Sequence, residues 1–204
     1  MNFISHPLIK PDSIESREYQ LSIAMKALDA NTMVILPTGL GKTAVALLVA
    51  ASRLYNEGGK VLMLAPTKPL VEQHLRFFQQ FLLVKTPVDA VASPFVMFTG
   101  EAPPIERTAD WERATVILAT PQVVKNDLIA GRYSLKDVTL MIVDECHRAV
   151  GNYAYVFLAQ RYLGSADKPL LLAMTASPGS VHEKVQDVCA NLGIALVENR
   201  TEDD

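Results

Sequence analysis

Short, continuous apolar runs alternate with longer helical stretches along this chain, and that rhythm constrains its fold more than any other feature. The runs are Thr32–Leu36, Val61–Ala65, Phe95–Phe98, Val116–Ala119, Leu140–Val143 and Leu170–Met174. Each is apolar at successive positions rather than at every second one, so a strand built from it is buried on both faces. A parallel sheet covered on both sides by helices buries strands in this way. Helices are expected at roughly Lys42–Tyr55, Pro69–Val84, Ile105–Arg113, Gln122–Ala130, Ala154–Leu163 and Val181–Asn191. Asp12-Ser13-Ile14-Glu15 has the spacing of a capping box and is expected to open a further helix reaching Ala27. The β-α-β alternation implies an open α/β sheet with right-handed crossovers. Residues 1–12, with Pro7 and Pro11, form an extended lead-in, 13–197 the domain and 198–204 the start of a linker. Lys85–Pro94 is the least regular interior stretch.

Leu36-Pro37-Thr38-Gly39-Leu40-Gly41-Lys42-Thr43 follows an expected strand and opens an expected helix. That is the setting a phosphate-binding loop requires. Gly39 and Gly41 permit backbone conformations that turn successive N–H groups inward, and the helix N-terminus adds partial positive charge. Lys42 would reach the β- and γ-phosphates of ATP, and the Thr43 hydroxyl would ligate Mg²⁺. Leu36 stands where such loops usually start with Gly or Ala.

Leu140-Met141-Ile142-Val143-Asp144-Glu145 is an apolar strand that ends in two carboxylates. In open α/β sheets, ligands bind beyond the carboxyl ends of strands. Asp144 would hold Mg²⁺, and Glu145 would polarise the water that attacks the γ-phosphate. Taken alone, such a pair could equally be a solvated turn; the upstream phosphate loop favours the catalytic reading.

Asp144-Glu145-Cys146-His147 resembles the box that defines the DExD/H helicases of superfamily 2. Its continuation, Arg148 to Tyr155, resembles the archaeal Hef and Fanconi anaemia M (Mph1-like) helicases. Other segments match in order. Arg17-Glu18-Tyr19-Gln20 resembles the adenine-reading Q motif, in which a Gln amide pairs with the base edge and Arg17 would stack on the ring. Pro66-Thr67-Lys68 resembles motif Ia, while Thr99-Gly100-Glu101 and Thr120-Pro121-Gln122 resemble the next two strand-contacting motifs. Such contacts go mainly to the nucleic-acid backbone. Thr175-Ala176-Ser177 resembles motif III, whose hydroxyls would couple the acidic box to the nucleic-acid side through His147. The resemblance implies a RecA-like three-layer fold, with ATP and Mg²⁺ in a cleft shared with a second RecA-like domain. It also implies action on branched or forked DNA, and repair or sliding-clamp partners.

No Gln-x-x-Gly-Arg-x-x-Arg run follows Pro178, and neither a helical insertion nor a nuclease-like region is visible. The chain is therefore expected to be the first half of a motor, able to bind ATP but poor at hydrolysing it alone. The formal net charge is −3, so any nucleic-acid contact must be local rather than a matter of bulk charge. No apolar stretch is long enough for a membrane span, and no secretory signal is visible. Cys146 and Cys189 have neither metal-knuckle nor disulfide spacing, so a reducing, intracellular compartment is expected. The resemblance to archaeal helicases implies the nucleoid-associated cytoplasm of a prokaryote. His74 is expected to be a surface or packing residue, and His6 and His182 show no ligand spacing. Trp111 and the run Phe77, Phe78 and Phe81 read as packing. Three alternatives stay open: an RNA-dependent ATPase like the RIG-I-like sensors, a non-hydrolysing nucleotide-binding scaffold, and a small-molecule kinase, which would leave the later motifs unexplained.

Overall fold

The computed structural model describes residues 2–85, 92–176 and 182–201. Its elements alternate as the apolar rhythm predicts: α1 (Glu18–Asp29), β1 (Thr32–Ile35), α2 (Lys42–Glu57), β2 (Lys60–Leu64), α3 (Lys68–Phe81), β3 (Phe95–Phe98) and α4 (Pro104–Arg113). There follow β4 (Val116–Ala119), α5 (Pro121–Ile129), β5 (Val138–Val143), a 3₁₀ turn (Cys146–Arg148), α6 (Ala154–Ser165), β6 (Leu171–Thr175), α7 (His182–Leu192) and β7 (Leu196–Asn199). The strands form one seven-stranded sheet in the order β3-β4-β2-β5-β6-β1-β7. Every pairing is parallel.

Successive residues of one strand feed two different cores. Val61 and Met63 of β2, Leu140 and Ile142 of β5 and Val34 of β1 pack with α1, α2 and α3. Leu62 and Leu64, Met141 and Val143, and Met33 and Ile35 pack on the other face with α4 to α7. This is why the runs are continuous in the sequence: both faces are dry. Helix α2 is buried at every position from Ala44 to Ala51, so its N-terminus, just after Gly41, is held firmly under the sheet. Phe78 and Trp111 are core residues, as expected.

Two expectations fail locally. The stretch Asp12–Glu15 does not open a helix. Asp12 has a left-handed backbone (φ 54), and Ser13 Oγ donates back to Lys10 O at 2.5 Å. The backbone groups of this stretch pair with the N-terminus instead, through Ile4 N–H to Ile14 O at 2.9 Å and Ser16 N–H to Asn2 O at 2.7 Å. Helix α1 starts only at Glu18, from an extended Arg17. Ile4 and Ile9 of the lead-in are buried in the core. At the other end, Glu198 and Asn199 do not begin a linker; they complete β7 beside β1. The buried position of that edge strand is Glu198 itself, which Lys26 pairs at 2.8 Å, so no apolar run marks the strand. Of the stretch Lys85–Pro94, residues 86–91 lie outside the described residues.

Candidate functional site

Because all strands run in one direction, their carboxyl ends share one rim. β5, β6 and β1 are neighbours there, so the acidic box, Thr175 and the phosphate loop stand side by side. Backbone bonds tie the phosphate loop to Thr175 and the acidic box to the end of β2: Leu36 N–H donates to Thr175 O at 3.1 Å, and Asp144 N–H to Leu64 O at 2.9 Å.

The phosphate loop leaves β1 and enters α2 through two left-handed glycines, Gly39 (φ 89) and Gly41 (φ 84). Positive φ is strained for a residue with a Cβ, which explains glycine at both positions. Thr38 and Gly39 are exposed, and Leu40, Gly41, Lys42 and Thr43 are half-buried. Lys42 Nζ donates to Leu36 O at 3.0 Å, which anchors its ammonium within the loop. Two α1 side chains brace the loop: Tyr19 Oη donates to Leu40 O at 2.8 Å and Gln20 Nε2 to the same oxygen at 3.0 Å. Gln20, expected to read adenine, is buried and bonded to the phosphate loop. Arg17 is exposed one turn away, and its hydrogen bond to Tyr19 raises its already high pKa.

In the acidic box, Asp144 is buried and Glu145 half-buried. Glu145 adopts a left-handed backbone (φ 51, ψ 45), unusual for a non-glycine residue. Asp144 Oδ1 accepts the Glu145 N–H at 2.9 Å, and the buried Tyr155 hydroxyl donates to Asp144 O at 2.7 Å. His147 Nδ1 lies 3.0 Å from Thr175 Oγ1, and its Nε2 lies 3.5 Å from Glu145 Oε2. The expected coupling pair is thus in contact; Ser177 lies outside the described residues.

His74 is neither at the surface nor a simple packing residue. It is 5% exposed, and its Nε2 lies 2.7 Å from Asp144 Oδ2. The one sequence signal was a polar residue on the buried stripe Val71, His74, Phe78 of α3. His6 Nδ1 accepts the Leu8 N–H at 3.0 Å. Among the described residues no cluster of three or more His, Cys, Asp or Glu side chains could hold a metal ion. Thr43 and Asp144 suit Mg²⁺, which keeps few protein ligands and draws the rest from phosphates and water.

The loops after β2, β3 and β4 carry the other motifs along the same rim. Thr67 precedes α3 and Thr120 precedes α5, and neither hydroxyl caps its helix. Pro66 and Lys68 are half-buried, and Gly100 and Gln122 exposed, whereas Thr99 and Pro121 are buried. Lys68 Nζ pairs with Glu101 at 2.7 Å. Arg107 ties the loop after β3 to helix α5: it donates to Ala102 O and bidentately to the buried Asp127 of α5 at 2.8 and 2.7 Å. A cleft of about 470 Å³ lined by Glu57, Lys60, Asp137 and Lys168 lies at the opposite pole, where β2 and β5 start. There Lys168 pairs with Glu57 at 2.8 Å, and Lys60 Nζ donates to the Glu112 backbone carbonyl at 3.2 Å.

The arrangement agrees with the relatives. A family model described as DEAD/DEAH box helicase matches residues 17–185. A Methanocaldococcus jannaschii protein provisionally named an ATP-dependent RNA helicase is 46% identical over 99% of this chain, which spans 25% of that protein. The ATP-dependent DNA helicase mph1 of Neurospora crassa is 39% identical over 92% of the chain, which spans 16% of it. The crystal structure of the Pyrococcus furiosus Hef helicase domain superposes with a TM-score of 0.90 at 50% identity, covering 97% of this chain and 40% of that one. With the phosphate loop, the acidic box and this RecA-like sheet in one frame, the chain belongs to the DEAD/DEAH box helicase family.

Proposed function

We propose that this chain is the ATP-binding half of a motor that moves on branched or forked DNA in the cytoplasm. The observation that carries the reading is the adjacency of β5, β6 and β1, which gathers Asp144, Glu145, Thr175 and Lys42 on one rim. Lys42 binds the β- and γ-phosphates, and the glycine-lined loop donates its N–H groups to them. Thr43 and Asp144 would hold Mg²⁺, which when bound neutralises charge on the phosphate oxygens. Glu145 accepts the proton of the attacking water. His147 carries the state of Glu145 to Thr175 through the contacts already described. A second RecA-like domain supplies the arginine finger, worth about 10³ to 10⁵ in turnover for related phosphate-loop enzymes, so this chain alone hydrolyses ATP slowly.

Pro66, Thr67, Lys68, Thr99, Gly100, Thr120, Pro121 and Gln122 would follow one strand through its backbone, with little sequence preference. Support for DNA comes from the name of the mph1 relatives; the name of the Methanocaldococcus relative favours RNA as the second reading. The test is ATP turnover by the full-length protein with matched DNA forks, linear DNA duplexes and RNA duplexes. Stimulation is expected to be strongest with DNA forks. Preference for RNA would reject the DNA assignment, and brisk turnover by the 204-residue chain alone, unchanged by Glu145→Gln, would reject the half-motor reading.

A further inference from the structure

The buried face of α3 is an apolar stripe with one exception. Val71 and Phe78 pack into the core, and His74 stands between them. A leucine there would pack without cost, whereas a buried imidazole must satisfy two ring nitrogens. This one satisfies only one. Nε2 meets Asp144 Oδ2 at 2.7 Å, and Nδ1 is buried with no hydrogen-bond partner among the described residues. An unpaired buried nitrogen is less costly as a bare lone pair than as an N–H, so the ring carries its proton on Nε2 and donates it to the carboxylate.

The effect is on Asp144. Its Oδ2 is held by His74, its Oδ1 by the Glu145 N–H at 2.9 Å, and its main-chain oxygen by the Tyr155 hydroxyl at 2.7 Å. A carboxylate offers about four lone-pair positions, so each oxygen keeps acceptor capacity for a cation. The side chain itself is locked in one rotamer. Partners that orient a ligating carboxylate typically change metal affinity or activity by about 10- to 100-fold when removed.

We propose that His74 is the positioning residue of the metal-binding carboxylate, fixing Asp144 so that Mg²⁺ accompanying ATP meets a preformed ligand. The proposal rests on the nucleotide-binding reading above. His74 touches neither the nucleotide nor the attacking water; it acts through Asp144.

The test uses the full-length protein with His74→Leu, His74→Phe and His74→Gln. Binding of a fluorescent, non-hydrolysable ATP analogue is titrated against Mg²⁺, and Mn²⁺ affinity in its presence is read by electron paramagnetic resonance. Leu and Phe are expected to raise the divalent-ion concentration needed for half-maximal binding about 10- to 100-fold, with metal-free nucleotide binding unchanged. Gln, whose side-chain amide can donate in place of Nε2, is expected to restore most of the loss. Thermal melting identifies which apolar variant remains folded, and the Gln variant supplies the comparison in either case. A folded Leu or Phe variant with wild-type Mn²⁺ affinity, or a folded Gln variant no better than Leu, overturns the role of His74 alone. Wild-type protein that binds no nucleotide at any Mg²⁺ concentration overturns the nucleotide-site reading, and this proposal with it.

Discussion

Gln20 Nε2 occupies the space that a Cβ on Gly41 would need, and the same amide donates to the neighbouring Leu40 carbonyl at 3.0 Å. Helix α1 and the phosphate loop are therefore built around the missing side chain at Gly41. Gly41→Ala would meet both this crowding and the left-handed backbone, which alone costs about 1–2 kcal/mol for a residue with a Cβ. Nucleotide affinity is expected to fall about tenfold, since the methyl group displaces the Gln20 amide that braces the loop and the left-handed backbone adds strain. A fluorescent-nucleotide titration with a parallel melt checks this; wild-type values in both would show that α1 does not brace the loop.

Lys42 and Glu145 are expected to separate binding from chemistry. Lys42→Ala removes charge-assisted bonds to phosphate and should weaken nucleotide binding about 10- to 100-fold. Glu145→Gln should leave binding intact while slowing turnover of the full-length protein about 10²- to 10⁴-fold. Equilibrium binding and single-turnover hydrolysis distinguish the two, and a binding defect in the Gln variant would contradict the role assigned to Glu145.

Lys68 is held by Glu101 at 2.7 Å, so a nucleic-acid phosphate must compete with that carboxylate. Lys68→Ala should weaken DNA binding uniformly across sequences and reduce the salt slope by about 1. Glu101→Gln should tighten binding at low salt. Anisotropy titrations over a range of NaCl concentrations report both; a Glu101→Gln protein with weaker binding would contradict the competition.

Asp127 is fully buried and receives Arg107 in a bidentate pair, Arg132 at 2.8 Å and Tyr133 Oη at 2.7 Å. Burial alone would raise its pKa, but the bonds from Arg107, Tyr133 and Arg132 together outweigh it and hold the carboxyl below its ordinary value. A depressed carboxyl stabilises the fold above its unfolded pKa and loses that contribution as pH falls through the folded value. Wild-type stability should therefore drop in acid, below the ordinary aspartate range, more steeply than that of Asp127→Asn. At neutral pH the Asn variant should lose about 3–5 kcal/mol, because two guanidinium groups lose their buried partner. Urea melts from neutral pH into acid test both, and parallel pH profiles would remove Asp127 as the source.

Cys146 adjoins Glu145 yet is buried, and burial, followed by the charge of Asp144, pushes its thiol well above the ordinary range. Native protein treated with iodoacetamide near neutral pH should be labelled at the half-buried Cys189 before Cys146, while both react in urea. Prompt native labelling of Cys146, read by peptide mass spectrometry, would contradict this burial.

The central strands were legible because each must be dry on both sides: β4, buried at every position, matches its run residue for residue, and so does the edge strand β3, whose Phe95 and Met97 are half-buried. β5 begins earlier than its run because Thr139 interrupts the apolar pattern while its Oγ1 bonds to Gly58 O at 2.7 Å. β7 left no run because its one buried position carries a paired glutamate and Asn199 beside it is exposed. At the site, Lys42, Asp144 and Glu145 could be named from local sequence because strand ends carry ligands in such folds. Their being only one strand apart depends on β6 inserting between β5 and β1, an order that neighbouring residues do not encode. The role of His74 is hidden for the same reason: its partner is far away in sequence and meets it only after the sheet assembles.

The strand order divides the sheet like a watershed. β3, β4 and β2 feed the loops assigned to the nucleic acid, while β5, β6 and β1 feed those assigned to the nucleotide. The divide runs between β2 and β5, and it is bolted by the Asp144–Leu64 backbone bond, by Tyr155 and by His74. Paired parallel strands with this many cross-ties do not slide past each other, so the two catchments move as one plate. In the motor proposed above, the closure driven by ATP would then act at the joint with the other lobe.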